Sequence, residues 1–291
     1  MYELIQAGER SWYVQCPAKI GIYQRNERDV YLIDSGSDKD AGRRVRKILD
    51  QQGWNLKGIL NTHSHADHIG GNKYLQQQYG CKIFAEGIEA AFTEHPVLEP
   101  AFLYGGCPGK ELRHKFLMAS ESRTAGFSDE EFPEEVEAVP LPGHSFDMVG
   151  YRLPDGTFFI ADCVSSRETL EKYGISFLYD VQAYLETLEK VPDMEASLFV
   201  PSHAEPAADI RPLAEINRRK VLEIGEEIRK ICREPRNFEE ILCRIFEDYH
   251  LQMTHQQYVL IGSTLRSYLT WLQSRGQAEA VIRDNQMLWK A

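Results

Sequence analysis

Thr62-His63-Ser64-His65-Ala66-Asp67-His68-Ile69-Gly70-Gly71 sets three imidazoles and a carboxylate almost side by side in the chain. The short apolar run Gly58-Ile59-Leu60 before it reads as a buried strand. Asn72-Lys73-Tyr74-Leu75 after it reads as a helix, packed closely through the two glycines. If the backbone leaving the strand stays extended, His63 and His65 point the same way, because side chains alternate there with a period of two. Asp67 and His68 follow where the chain turns helical, and can aim at a second metal on the other side. Imidazole nitrogen with carboxylate oxygen suits zinc, iron or manganese rather than calcium or magnesium. A purification tag or a solvated His-rich loop would lack these strand and helix flanks, so the stretch reads as a metal site.

At these residues the chain resembles the metallo-β-lactamase superfamily, whose hallmark is His-x-His-x-Asp-His after a strand. Further segments match that pattern in order. Leu141-Pro142-Gly143-His144-Ser145 is similar to the loop carrying the third His of the first metal. Phe158-Phe159-Ile160-Ala161-Asp162 resembles the strand ending in the bridging carboxylate, and Leu198-Phe199-Val200-Pro201-Ser202-His203 the strand ending in the last His. Tyr31-Leu32-Ile33-Asp34-Ser35-Gly36 resembles the early strand whose Asp supports the ligand loop. The resemblance implies a first metal on His63, His65 and His144, a second on Asp67, His68 and His203, and Asp162 between them. It implies an αββα sandwich (class α/β), two divalent cations with zinc expected before iron or manganese, and Asp67 orienting the attacking hydroxide. All the implied ligands lie where an apolar run gives way to Gly, Pro or Ser, which is where rigid strands fix functional loops.

The 291 residues are 43% hydrophobic and 26% charged, which fits a globular protein of one large or two smaller domains. No apolar run approaches bilayer length, so no membrane association is expected. Met1-Tyr2-Glu3-Leu4-Ile5-Gln6 has neither a basic start nor an apolar core and does not read as a secretory leader. The six cysteines are scattered without a C-x-x-C pair, which points to reduced thiols and a cytoplasmic location. A formal net charge of -11 disfavours a polyanion partner.

Along the chain, Trp12–Gln15, Ile20–Tyr23 and Val30–Ile33 read as antiparallel strands, followed by a helix from about Asp40 to Gln52. After the strand Lys82–Ala85, residues from about 87 to 135 form an insertion with a helix expected near Glu111–Ala119. Long excursions of this kind serve as lids, binding loops or dimer arms. Phe102, Tyr104 and Phe116 beside Lys110, Arg113 and Lys115 suggest a cover over the metal cleft that meets an anionic group of a small-molecule substrate, or else a homodimer contact. Ser128 to Glu137 reads as a solvated acidic edge. Helices at Val181–Leu188, Ile216–Cys232, Phe238–Tyr249 and Thr254–Ser274 precede a terminal hairpin. The last part resembles a winged helix, giving a catalytic domain at 1–212 and a helical, winged-helix-like domain at 213–291. With twelve Lys and Arg against ten Asp and Glu from residue 216 onward, nucleic acid is not an expected partner.

His95 and His114 are expected at the surface, His250 and His255 in the helical appendage, and Cys163 in the core. Glu171–Ser176 is a candidate pocket wall. The expected activity is dinuclear metal-dependent hydrolysis of a thioester or ester by a bridging hydroxide, on the glyoxalase II-like branch that the resemblance suggests. The same family resemblance leaves two alternatives: a mononuclear-iron persulfide dioxygenase, and a phosphodiesterase or endoribonuclease.

Overall fold

The computed structural model describes residues 2–291. Strands β1 (Glu3–Gln6), β2 (Ser11–Gln15), β3 (Ile20–Gln24) and β4 (Asp29–Ile33) run antiparallel to one another. Helix α1 (Lys39–Gln52) leads to β5 (Asn55–Leu60), and helices α2 (Ala66–Ile69) and α3 (Asn72–Tyr79) lead to β6 (Lys82–Phe84). These two strands join β4 in parallel and complete a six-stranded sheet in chain order. Helices α4 (Gly87–Glu94) and α5 (Leu98–Tyr104) precede a second sheet of order β10-β9-β8-β7. It is built from β7 (Glu137–Pro140), β8 (Val149–Arg152), β9 (Thr157–Ser165) and β10 (Leu198–His203), with α6 (Arg167–Tyr173) and α7 (Val181–Lys190) between the last two. The chain closes with α8 (Arg211–Ile231), β11 (Arg236–Asn237), α9 (Phe238–Asp248), α10 (His255–Ser274), β12 (Glu279–Arg283) and β13 (Gln286–Lys290). Among the described residues no helix is long and apolar enough to cross a membrane.

Alternation along the strands decides the layers. In β4, Val30 and Leu32 face a cluster with Val45 and Leu49 of α1, whereas Tyr31 and Ile33 face Tyr151, Phe159 and Val200 of the other sheet. Phe159 thus lies between the sheets, and its neighbours Phe158 and Ile160 turn outward to a cluster shared with α7, α8, α9 and α10. The result is helix, sheet, sheet, helix, as the resemblance implied.

Most strand expectations hold with shifts of a residue or so at the ends, but β5 begins three residues before Gly58 and β9 runs three residues past Asp162. Three elements differ. Glu111–Ala119 is not an α-helix: only Lys110–Leu112 forms a 3-10 turn, because Leu112 and Leu117 anchor in one small apolar cluster at a spacing of five, off the helical repeat. The insertion's helices are α4 and α5 instead. The acidic edge is also more than a solvated strip. Lys82 pairs with Asp129 and Glu131, Tyr23 donates to Glu135, and Val136 is buried between the sheets. Finally, β11 pairs with β13, so the terminal hairpin is part of a three-stranded sheet. Its turn residues Asp284 and Asn285 both have positive φ, as a tight two-residue hairpin requires.

Candidate metal centre

Parallel pairing of β4 with β5 sets Ile33 opposite Leu60, so Asp34 emerges beside Thr62. Asp34 accepts from the Thr62 backbone N–H at 2.8 Å, the Thr62 hydroxyl at 2.8 Å and His68 Nδ1 at 2.7 Å. That fixes the start of the His-rich turn and aims His68 Nε2 away from Asp34. The turn can fold back this closely only without side chains at its end. A Cβ on Gly70 would lie 2.3 Å from the Ser37 carbonyl carbon, and one on Gly71 2.4 Å from the Ser35 oxygen. On the other sheet the β9–β10 register shifts beyond Val200, and Ala161 takes a positive φ of 49°. This irregularity re-aims the residue after it, Asp162, toward the same cleft.

Seven donor side chains converge there in three overlapping groups, His63 with His65 and His144, His63 with His68 and Asp162, and Asp67 with His68 and His203. His65 Nδ1 lies 3.0 Å from both His63 Nε2 and His144 Nε2. Donors about 2.0–2.1 Å from a tetrahedral zinc stand about 3.3 Å apart, so this spacing is close to a ligand triangle. Asp162 faces both ends of the cluster: Oδ1 is 3.2 Å from His68 Nε2, and Oδ2 is 3.4 Å from His144 Nε2 and 3.2 Å from His203 Nε2. His203 Nδ1 donates to Pro17 O at 3.0 Å, leaving Nε2 to the cleft. Asp67, with its side chain 45% exposed, is the most open of the seven and lies 3.4 Å from His203 Nε2.

The donor set fits a cation. His68 Nε2 and Asp162 Oδ1 are buried 3.2 Å apart and neither makes a well-aligned hydrogen bond, so each retains donor capacity for a cation between the rings. Burial lowers His63 well below the ordinary imidazole value and brings His65 and His144 to about 4, so all three are neutral and ready to ligate at neutral pH. Burial also works against charge on His68 and His203. Asp162 and Asp67 outweigh it, helped at His68 by Asp34, raising His68 well above its usual value and His203 to about 10. In the metal-free protein these two protons balance the carboxylates, and a bound cation would displace them.

A match to the metallo-beta-lactamase superfamily spans residues 15–203, from β2 to the end of β10. The chain belongs to that superfamily. It is 28% identical over 179 residues to the beta-lactamase-like protein 2 homolog of Drosophila melanogaster, covering 59% of this chain and 53% of that one. It is 32% identical over 147 residues to a hydroxyacylglutathione hydrolase of Vibrio cholerae serotype O1, covering 50% and 47%. The chain thus spans about half the length of these relatives. Among solved structures, a beta-lactamase domain protein from Burkholderia ambifaria superposes with a TM-score of 0.75 at 18% identity, over 99% of this chain and 94% of that one. A metallo-beta-lactamase family protein of Thermus thermophilus gives 0.71 at 15%, over 100% and 98%.

Around this metallo-beta-lactamase cleft stand residues that the sequence pattern did not single out. The Phe177 ring meets His65 and His144 edge-on at 5.2 and 5.9 Å between centroids. It is Phe177 that borders the site, whereas most of Glu171–Ser176 turns elsewhere: Tyr173 is exposed and Ile175 is buried in the helix-side core. The insertion reaches the site through α5. Its Phe102 and Leu103 pack in the small cluster with Phe177, and Val259 of α10 closes that cluster from behind. Two of the three expected bases are engaged elsewhere: Lys115 binds Asp38, and Arg113 folds back onto Pro108 O and Cys107. A cavity of about 730 Å³ lined by Phe102, Tyr179, Trp271 and Arg266 includes none of the seven donors. Cys163 is core, as expected; His95, His250 and His255 are exposed and His114 is half-buried, none of them in the cluster.

Glu99, also on α5, is buried with an oxygen 3.8 Å from His65 Nε2. Burial lifts its carboxyl to about 8, with the charges of Glu89 and Asp67 adding to the effect. At neutral pH neither partner is charged, so this contact is no ion pair. A carboxyl raised in the folded state contributes stability that is complete below its ordinary value of 4.5 and drains away as pH climbs to about 8. Metal-free Glu99→Gln is therefore expected to be more stable than the parent at pH 8, lacking a slope of up to about 1.4 kcal/mol per pH unit across that window. Urea unfolding at pH 5, 6.5 and 8 measures it; identical pH dependence in the two proteins would contradict the neutral buried acid.

Proposed function

We propose that this chain is a metal-dependent hydrolase, and that the bond it cleaves is a thioester or ester. The observation that carries the reading is Asp162, whose Oδ2 lies 3.4 Å from His144 Nε2 at one end of a seven-donor cluster and 3.2 Å from His203 Nε2 at the other, while Oδ1 lies 3.2 Å from His68 Nε2. His63, His65 and His144 would hold one divalent cation, zinc by preference, and Asp67, His68 and His203 a second. Such ions, when bound, polarise an electrophilic oxygen and acidify water. The chain's own contribution is arrangement. Asp34 and Pro17 O fix the ring tautomers of His68 and His203, and Asp67, open to solvent, is placed to orient a water at the cleft. Phe177 and α5 restrict water on the His65 side.

Similarity to the Vibrio hydroxyacylglutathione hydrolase favours a thioester over a β-lactam or phosphodiester. The aromatic rings of Phe102, Phe146 and Tyr179 suit the apolar part of a small substrate. We divide the chain into a catalytic domain at 1–212 and a helical, winged-helix-like domain at 213–291, the latter contributing α10 to the wall behind Phe177. Protein purified without added metal, then assayed for metal content and for turnover of thioesters, lactones and phosphodiesters, tests the proposal. About two zinc per chain with thioester turnover is expected. One iron per chain with oxygen uptake on a persulfide would replace hydrolysis by oxidation.

A further inference from the structure

Glu89 stands on α4, outside every ligand segment, yet its side chain joins two of them. Oε2 accepts from the backbone N–H and the hydroxyl of Ser64, the residue between His63 and His65. Oε1 accepts from the Ser145 hydroxyl at 2.6 Å and the Asp147 backbone N–H at 3.1 Å, just past His144. The contact is reciprocal, since the Asp147 carboxylate accepts from Ile88 N–H at 2.9 Å and so ties the loop back to the first turn of α4. Glu89 is 3% exposed, and all four of its hydrogen bonds come from the two loops. We infer that Glu89 is a positioning residue that braces the His63–His65 turn against the His144 loop, holding three imidazole donors in one triangle. The inference rests on the metal-site reading above, although the brace itself is a property of the metal-free chain.

The chemistry needs a carboxylate. Two acceptor oxygens meet two backbone N–H groups that belong to different loops and cannot turn round. Glutamine keeps the volume but presents an amide nitrogen to one of those N–H groups, so one loop is released whichever way the amide sits. A serine hydroxyl can rotate to accept; a backbone N–H cannot. Loss of the brace therefore loosens one side of the donor triangle without emptying the core. An acid at the third position of Gly-Ile-Glu-Ala-Ala-Phe carries no motif, and only the tertiary contacts reveal it.

The test compares the parent, Glu89→Gln and Val45→Ala, the last a core substitution on the buried face of α1, in an apolar cluster that includes no residue of either loop. Zinc affinity is measured by competition with a chromophoric chelator, and amide exchange is followed in the metal-free proteins. Glu89→Gln is expected to bind zinc about 10–100-fold more weakly. Exchange at Ser64 or Asp147 should quicken by about tenfold or more. Val45→Ala, destabilised elsewhere, should leave both readouts at the parent's values. Unchanged exchange at both amides in metal-free Glu89→Gln would overturn the brace whatever the parent binds. Faster exchange with zinc affinity equal to the parent's would overturn its positioning role. A parent that takes up no zinc at all would instead strike the hydrolase reading, and the exchange data would still judge the brace.

Discussion

Asp162→Ala should abolish turnover of any substrate the metal-loaded protein hydrolyses, by about a thousandfold or more, and should lower bound metal from about two ions per chain to one or none. The size of the effect follows from geometry. Asp162 Oδ2 lies within 3.4 Å of both His144 Nε2 and His203 Nε2, so its loss uncouples the two halves. The fold should survive, because Asp162 is buried among groups that respond to its loss. Without this carboxylate the push that raises His68 and His203 weakens, and Asp67 beside both rings and Asp34 beside His68 remain as counter-charges, so neither ring is left as an unpaired buried charge. Circular dichroism and cooperative unfolding should therefore stay close to the parent's while metal analysis and turnover collapse. Retained turnover in purified, metal-loaded Asp162→Ala would sink the two-ion assignment.

Legibility in the sequence tracks how local each signal is. The ligand turn is readable because its donors lie within one strand-to-helix transition, and the later ligands because each ends an apolar run that can only be a buried strand. Asp34 is readable for the same reason. Glu89, Glu99 and Phe177 are not, because each reaches the cleft sideways, from a short helix or the loop after one, with nothing in its neighbours to mark it. The insertion misleads where charge and aromatics suggest a helix over Glu111–Ala119. Its two anchors, Leu112 and Leu117, instead hold an irregular loop against α10. Its bases Arg113 and Lys115 find partners within reach. A two-residue strand such as β11 is too short to carry any period at all.

Asp34→Asn and Asp34→Ala should separate ligand orientation from stability. Asp34 is 2% exposed and holds a positive φ of 62°, which aspartate and asparagine tolerate better than alanine. Alanine would leave the Thr62 N–H and His68 Nδ1 without their acceptor, at about 1–3 kcal/mol for each buried group. Against a total stability of about 5–15 kcal/mol, that is a severe loss. Asparagine keeps the shape and can still accept from Thr62 N–H. Its amide nitrogen then faces His68 Nδ1, and two donors cannot share that contact. The imidazole must accept at Nδ1, which moves its proton to Nε2, the nitrogen aimed at Asp162 and the cleft. A ring protonated at Nε2 cannot ligate there. Asp34→Asn should thus unfold near the parent's midpoint yet lose at least about 10–100-fold in metal affinity, with the loss concentrated in the ion held by His68. In the metal-free parent His68 carries a proton on both nitrogens, so NMR of isotope-labelled imidazole nitrogens should show Nδ1 protonated there and deprotonated in metal-free Asp34→Asn. If His68 keeps its proton on Nδ1 in Asp34→Asn, the orienting role assigned to Asp34 is wrong.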